Sequence, residues 1–381
     1  MIEQAAIVMQ GSGQRLIIDI CMFFGLFVIV AMALNFQYGN AGVPNMGSAM
    51  SVAFGGYLVT GFIVRILYRL AESAGVTLLP YNDNWGWLYN NYANTVTVNT
   101  FMVDNPTLGL AVFFFSLAAG FLFGWFMGYV VSLPVIRLGG TYLMITLITM
   151  ADVVQLFGIN YVPLSGTTLG TWVPDPFEFW PGDRGLILSL VTMIFSLVCY
   201  LILRTMLNSP YGRLMRSVRE NEITVGSVGK NVTGIRRNVL MFVSGITAVA
   251  GVLVCWYYAY GVGQSYARAT WTYWPWLMLM LGGPGNNAGT FIGAALVIFM
   301  RRLIVVYKFA LDDFIFFPMV FFENMLLGSL LILVMIFRPD GLIPEKLLRI
   351  PGINYRRLVR ETTEVDWKAT TRSALSTEEA S

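Results

Sequence analysis

The 381-residue chain has no histidine. Histidine-based acid–base catalysis, metal binding and pH switching are therefore excluded. Cys21, Cys199 and Cys255 all fall inside apolar runs with no CxxC spacing, and they read as small buried hydrophobes. Gly229-Lys230 is followed by Asn231 and preceded by Thr224 where a P-loop needs glycine. The chain thus has no P-loop with which to bind ATP, and GxSxG and HExxH are absent as well. With hydrolytic chemistry unsupported, the charged residues that stand out are a basic segment, 208–237, and one acid inside an apolar run, Asp152.

The basic segment reads Ser209-Pro210-Tyr211-Gly212-Arg213, then Arg216, Arg219-Glu220-Asn221-Glu222, Gly229-Lys230-Asn231 and Arg236-Arg237. Arg213, Arg216 and Glu220 recur at spacings of three and four, and Leu214, Val218 and Ile223 at four and five. A helix over 211–228 would carry a basic face and an apolar ridge able to dock in a groove of a soluble partner. A solvated loop would explain the arginines. It would not explain Tyr211-Gly212, Glu220-Asn221-Glu222 or the ridge.

The elements around these residues belong to a membrane protein. The chain is 56% hydrophobic and 12% charged, where soluble domains carry about 25% charge. Mean hydropathy is +0.67. Spans need about 20 apolar residues. Nine candidates follow: 16–37, 47–68, 107–131, 140–160, 187–206, 238–260, 271–284, 288–305 and 321–337, the seventh short enough for a half-helix. The expected fold is an all-α, polytopic bundle of about nine spans over 1–345, with a partly disordered tail at 346–381. Residues 71–106 and 161–186 read as polar loops. Lysine and arginine concentrate in 204–237 and from 338 onward and are absent from 71–106. The first two regions are expected in the cytoplasm, and nine spans then put the N-terminus outside. No basic region or cleavage site marks a signal peptide. Arg65 and Arg69 at an outer helix end run against the bias.

Further motifs appear in order. Leu34-Asn35 with Tyr38-Gly39-Asn40-Ala41-Gly42 comes first, then Leu133-Pro134, Arg137-Leu138 and Gly140-Thr141-Tyr142-Leu143. Leu281-Gly282-Gly283-Pro284-Gly285 with Gly289 and Phe337-Arg338-Pro339-Asp340-Gly341-Leu342 complete the set. Together with Ser209–Arg213, Arg219–Glu222 and Gly229–Thr233, this series resembles the LivM-type permeases of branched-chain amino acid ABC transporters, over roughly residues 20–345. The resemblance implies the permease subunit of an ATP-driven importer in the cell membrane of a prokaryote. It implies pairing with a second, related permease, two ATP-binding subunits that use the ATP, and an extracytoplasmic binding protein. Membrane lipid surrounds the chain, and no cofactor or nucleic acid is expected in it. The 208–237 segment becomes the coupling loop, with Tyr211, Gly212, Arg213, Arg216, Arg219, Glu220, Asn221, Glu222 and Gly229 as its coupling residues. Departures are Thr224 and Val225 in place of small alanines, Asn45-Met46-Gly47-Ser48 in place of Ser-Leu-Gly-His, a missing N-terminal span and a long 71–106 loop.

Candidate pathway residues are Asn45, Asp152, Gln155, Gly283 and Gly285. Asp152 would receive a substrate ammonium, pair with a neighbouring helix, or sit hydrated at the outer end. Asp19 and Glu323 lie near expected helix starts, and Arg301-Arg302 snorkel at a helix end. Glycines 282, 283, 285 and 289 serve close packing or line a pathway. Met278, Met280, Met300, Met319 and Met325 are packing or lipid-facing. Gly39–Gly47 and Gly282–Gly289 each precede an apolar helix, as two interrupted halves of a transport pathway would or as two tight turns. Alternatives within and beyond transport are a permease for urea or another small polar solute, a scaffold whose loop recruits a soluble partner, and an ion-coupled transporter. The last would need paired intramembrane acids.

Overall fold

The computed structural model describes residues 2–306, 319–338 and 340–345. The expected tail from 346 lies outside these residues, as does the side chain of Glu323. Fourteen helices are described, with one two-stranded ribbon among them. Helix α1 (Ile2–Leu34) closes in a π turn, Asn35–Asn40, and Gly42–Gly47 then runs non-helical to α2 (Ser48–Leu58). A second π turn, Val59–Ile63, joins α2 to α3 (Val64–Ser73). Next come α4 (Asn84–Asp104), α5 (Pro106–Val135), α6 (Gly140–Asn160) and the short α7 (Val162–Ser165). Strand β1 (Thr171–Trp172) precedes α8 (Arg184–Asn208), α9 (Pro210–Glu220), α10 (Glu222–Ser227) and α11 (Val232–Tyr258). Strand β2 (Tyr260–Gly261) pairs antiparallel with β1. The chain continues through α12 (Trp274–Gly282), α13 (Asn287–Val306) and α14 (Met319–Phe337).

Seven of the nine expected spans are helices long and apolar enough to cross a membrane. The seventh candidate is a 9-residue α12 led in by a π turn, Ala269–Tyr273. The ninth is the 19-residue α14, of which the apolar stretch Asn324–Phe337 falls among the described residues. Residues 71–106 are not a loop: α4 fills most of them. Its polar composition misled because its asparagines bond inward, to Tyr68, Leu79 and Trp172.

Helix α11 is buried almost throughout and forms the axis of the bundle. Helix α5 lies against it through Gly120, Gly124 and Gly128, spaced four apart on one face. They meet Val252, Ala248 and Ser244 in turn, an antiparallel register in which side chains on α5 would collide with α11. Small residues at i and i+4 are how helices approach closely where lipid removes the hydrophobic drive. On the other flank, Gly251 abuts the Val52 carbonyl of α2. Helices α6 and α8 keep Ile145, Leu156, Phe157, Ile194 and Leu197 exposed, as lipid- or subunit-facing surfaces do.

The orientation puzzle at Arg65 has a local answer. Its guanidinium donates to the carbonyls of Gly61 and of Pro163 (2.6 Å) and lies 4.0 Å from the centre of the Trp87 ring. Cation–π contact and backbone acceptors settle the charge at the helix end.

The loop after α7 is pinned by an ion pair between a buried acid and a partly exposed arginine. Asp175 is 2% exposed and pairs with Arg184 at the start of α8, whose Nη2 also donates to the Trp256 carbonyl at 2.7 Å. Burial raises the Asp175 carboxyl above its ordinary value, and Arg184 opposes this in part. Arg184→Met leaves the acid buried and unpaired, at a cost of about 2–3 kcal/mol. With its folded-state pKa raised, Asp175 favours the fold while protonated, and that contribution is lost as pH rises through it. Thermal unfolding in detergent should therefore show a larger deficit for the variant at pH 8 than at pH 5.

Candidate functional site

The segment 208–237 folds as two helices, not one. Ser209-Pro210 starts α9, with Pro210 in the first turn, where its missing N–H costs nothing. The expected helix over 211–228 breaks at Asn221, which leaves helical geometry with φ −157°. Its Oδ1 accepts from Thr224 N at 3.1 Å and caps α10. Gly229, at φ +79°, ends the turn after α10 in the left-handed region that favours glycine. The kink also divides the expected ridge. Met215 and Val218 are buried and Leu214 is half-buried, whereas Ile223 is 84% exposed and Val228 72% exposed.

The buried side of α9 holds the wiring. Gly212 packs on the Leu207 backbone where α8 turns into α9. Arg216 Nε donates to Asn40 Oδ1 at 3.4 Å. Arg219 donates to the Gly39 carbonyl and pairs with Glu345 at 2.9 Å and Glu220 at 3.2 Å. Burial alone would lower the Arg219 pKa, but Glu345 and Glu220 outweigh it and hold the guanidinium above its ordinary value. Glu222 pairs with Arg236 at 2.8 Å, which ties α10 to the first turn of α11. Tyr211 is half-buried, and Arg213, Glu220, Asn221 and Glu222 are exposed.

Arg219 thus reaches the first glycine elbow, residues 39–47, and that elbow touches the second, residues 282–289. Gly39 lies so close to Gly285 that a Cβ there would strike its backbone. Asn35 Oδ1 accepts from Gly285 N at 2.8 Å, and Asn35 Nδ2 donates to Asn287 Oδ1 at 2.8 Å. The second elbow is covered by the segment after α14. Leu342 N donates to Leu281 O at 2.8 Å and Ile343 N to Gly282 O at 3.1 Å. Gly283, at φ +111°, faces the Ile343 and Asp340 carbonyls with no room for a side chain. At Gly282, Gly283, Gly285 and Gly289 the chain is packed too closely for a side chain.

The first elbow carries its own buried polar network. Asn35, Gln37, Asn40, Asn45 and Ser48 are each at most 3% exposed. Asn45 Nδ2 donates to Gln37 Oε1 at 3.0 Å and its Oδ1 accepts from Gly47 N at 2.7 Å. Trp276 Nε1 donates to the Asn45 carbonyl at 2.9 Å. An unwound backbone between two spans must find such partners, because hydrocarbon offers none. Asn45 is therefore engaged within the break. Gln37 was not singled out in the sequence, although a glutamine closing an apolar helix beside Asn35 and Asn40 is the signal that would have found it.

Asp152 belongs to a different cluster. It pairs with Arg268 of the α11–α12 connection at 2.7 Å, and both are partly exposed. Gly47 abuts Leu147 five residues earlier on α6, about 7 Å along the axis. Gln155 is half-buried. Asp19 lies inside α1, not near its start. It accepts from the Tyr257 hydroxyl at 2.6 Å and stands 3.8 Å from Arg302. The Arg301 and Arg302 guanidinia lie over the Trp274 and Phe23 rings. Met278 is fully buried and Met325 exposed.

These features accompany a family match. Residues 16–335 fit the model of the branched-chain amino acid transport system / permease component family. The chain belongs to this family. It is 31% identical over 339 residues to a probable branched-chain amino acid transport permease protein LivM of Methanocaldococcus jannaschii, covering 88% of this chain and 95% of the relative. It is 25% identical over 352 residues to the high-affinity branched-chain amino acid transport system permease protein LivM of Salmonella typhimurium, covering 86% and 70%. The Escherichia coli protein of the same name is 24% identical over 352 residues. No solved structure matches significantly. The chain is thus a multi-pass membrane permease.

The Arg219 arrangement makes a measurable demand on this permease. Arg219→Ala should cost about 2 kcal/mol, because it strands the Gly39 carbonyl as well as Glu345, and Glu345→Ala about 1 kcal/mol or less. In SDS-unfolding measurements the two should couple by about 0.5–1 kcal/mol. Strict additivity would deny the pair.

Proposed function

We propose that the chain is the permease subunit of an ATP-driven importer of branched-chain or related amino acids, in the cell membrane of a prokaryote. Substrate arrives from an extracytoplasmic binding protein, and a second, related permease completes the pore. The energy comes from two ATP-binding subunits, because no P-loop is present in the sequence. The names of the relatives support the substrate class.

The observation that carries this reading is the division of labour across α9 and α10. One side, through Arg216 and Arg219, grips the first elbow and the segment after α14. The other side leaves Ile223, Val228, Arg213 and Glu220 open. A short element with apolar tips on one side and rigid bonds to broken helices on the other suits the transfer of a rigid-body motion. ATP-driven closure of the soluble subunits would push α10, and Arg219 would carry the push to the two elbows. Asn45, Gly283 and Gly285 then act at the moving elbows, and Asp152 and Gln155 toward the opposite face of the membrane.

Ile223→Asp combined with Val228→Asp should lower ATP-driven amino acid uptake in proteoliposomes of the full complex by at least about tenfold. Membrane insertion should be unchanged, because neither side chain packs in the bundle. Replacing Glu220 or Arg216 should uncouple ATP hydrolysis from uptake. Full uptake in all of these variants would refute the coupling role.

A further inference from the structure

Helix α4 carries apolar side chains on its outer face as well as its inner one, which a helix bathed in water would not. Asn91 and Asn94 face the protein: Asn91 Nδ2 donates to the Tyr68 hydroxyl at 2.9 Å and Asn91 Oδ1 accepts from Trp172 N at 2.6 Å. Asn94 bonds both the N–H and the carbonyl of Leu79, at 2.8 and 3.0 Å. A row of the helix's aromatic and apolar residues faces away, while Trp87, Val98 and Met102 pack inward. Trp85, Tyr89, Tyr92, Val96 and Val103 are 45–69% exposed, and spacings of three, four and seven place them on one face. Trp85 and Tyr89 stack with ring centres 5.7 Å apart. The face has no charge, and residues 71–106 contain no lysine or arginine.

The attachments of α4 fix its level. Near its start, Trp87 lies over Arg65, which donates to the Pro163 carbonyl three residues beyond α6. Twelve residues on, Asn99 Oδ1 accepts from Asp175 N at 2.8 Å, and Asp175 pairs with Arg184, the first residue of α8. Only Asn105 separates its last residue, Asp104, from the first of α5. A helix about 30 Å long is therefore tied, along its length, to the ends of three spans on the side opposite α9 and α10. It runs along the rim of the bundle at the level of the membrane surface.

We propose that α4 is an interfacial helix whose Trp85–Val103 face is seated among the headgroups and upper acyl chains of the leaflet opposite the coupling segment. Tryptophan and tyrosine rings favour that boundary, with an apolar body and a polar edge. A soluble protein is the competing occupant. The direct run of α4 into α5 and the tie to two further span ends favour lipid, because they hold the helix down at the bilayer edge. The uncharged face predicts that neutral lipid suffices, with little dependence on salt or on anionic lipid.

The test uses the full transporter in phosphatidylcholine bilayers, with photoreactive p-benzoylphenylalanine placed at Tyr89 or at Tyr92. Irradiation should yield lipid adducts at both positions, with yields within about twofold in neutral and anionic bilayers. As a second readout, acyl-brominated phosphatidylcholine should quench a smaller share of tryptophan emission in Trp85→Phe than in the unsubstituted protein. Adducts with a soluble protein in place of lipid, no adducts at either position, or equal quenching in both proteins would overturn the proposal.

Discussion

The guanidinium of Arg219 is the point through which four parts of the chain meet. It sits on α9, bonds the backbone of the first elbow at Gly39, and pairs with Glu345 after α14. That terminal segment in turn closes over the second elbow by two backbone hydrogen bonds. The elbows are in direct contact at Gly39 and Gly285. Each is an interruption of helix in an apolar bundle, where unpaired backbone groups are costly. The interruptions persist because Asn35, Asn40 and Asn45 bond the backbone there and Asn45 also donates to Gln37 Oε1, although Gln37 Nε2 is left without a partner among the described residues. Arg219 adds a charge-assisted bond from outside that network, so a displacement of α9 reaches the broken helices without passing through a loop.

Around this node the bundle is held by shape more than by polarity. Gly120, Gly124 and Gly128 let α5 lie on α11, and α2 closes on the other side through Gly251. Such contacts give a rigid axis, while α6 and α8 expose apolar faces that another subunit or lipid would cover. A rigid axis beside two helix interruptions is a layout on which rocking models of transport can draw. The reading of this permease as one half of an ATP-driven pore draws on that layout.

Much of this was legible in the sequence, and the gaps have physical causes. Apolar runs located the spans to within a few residues, because hydrocarbon thickness fixes their length. The short α12 was visible for the same reason. Helix α4 was missed because its asparagines suggest a polar loop, and only the partners Tyr68, Leu79 and Trp172 explain why they face inward. The break at Asn221 was missed because an apolar ridge drawn through Ile223 outweighed a capping residue in plain view. The contact of Asp152 with Arg268 spans 116 residues, and no local pattern foretells it. The coupling residues were named from resemblance, but which of them grip the bundle and which face outward needed the fold.

The central claim is that α10 and the second elbow move as one body through Arg219. Spin labels at Ser227 and Ala288, both exposed, would report this by pulsed electron resonance in the full transporter, without nucleotide and with ATP trapped. The account predicts that the distance between them stays constant while the transporter changes state, and that it begins to vary in Arg219→Ala. A distance that changes with ATP in the unsubstituted protein would contradict it.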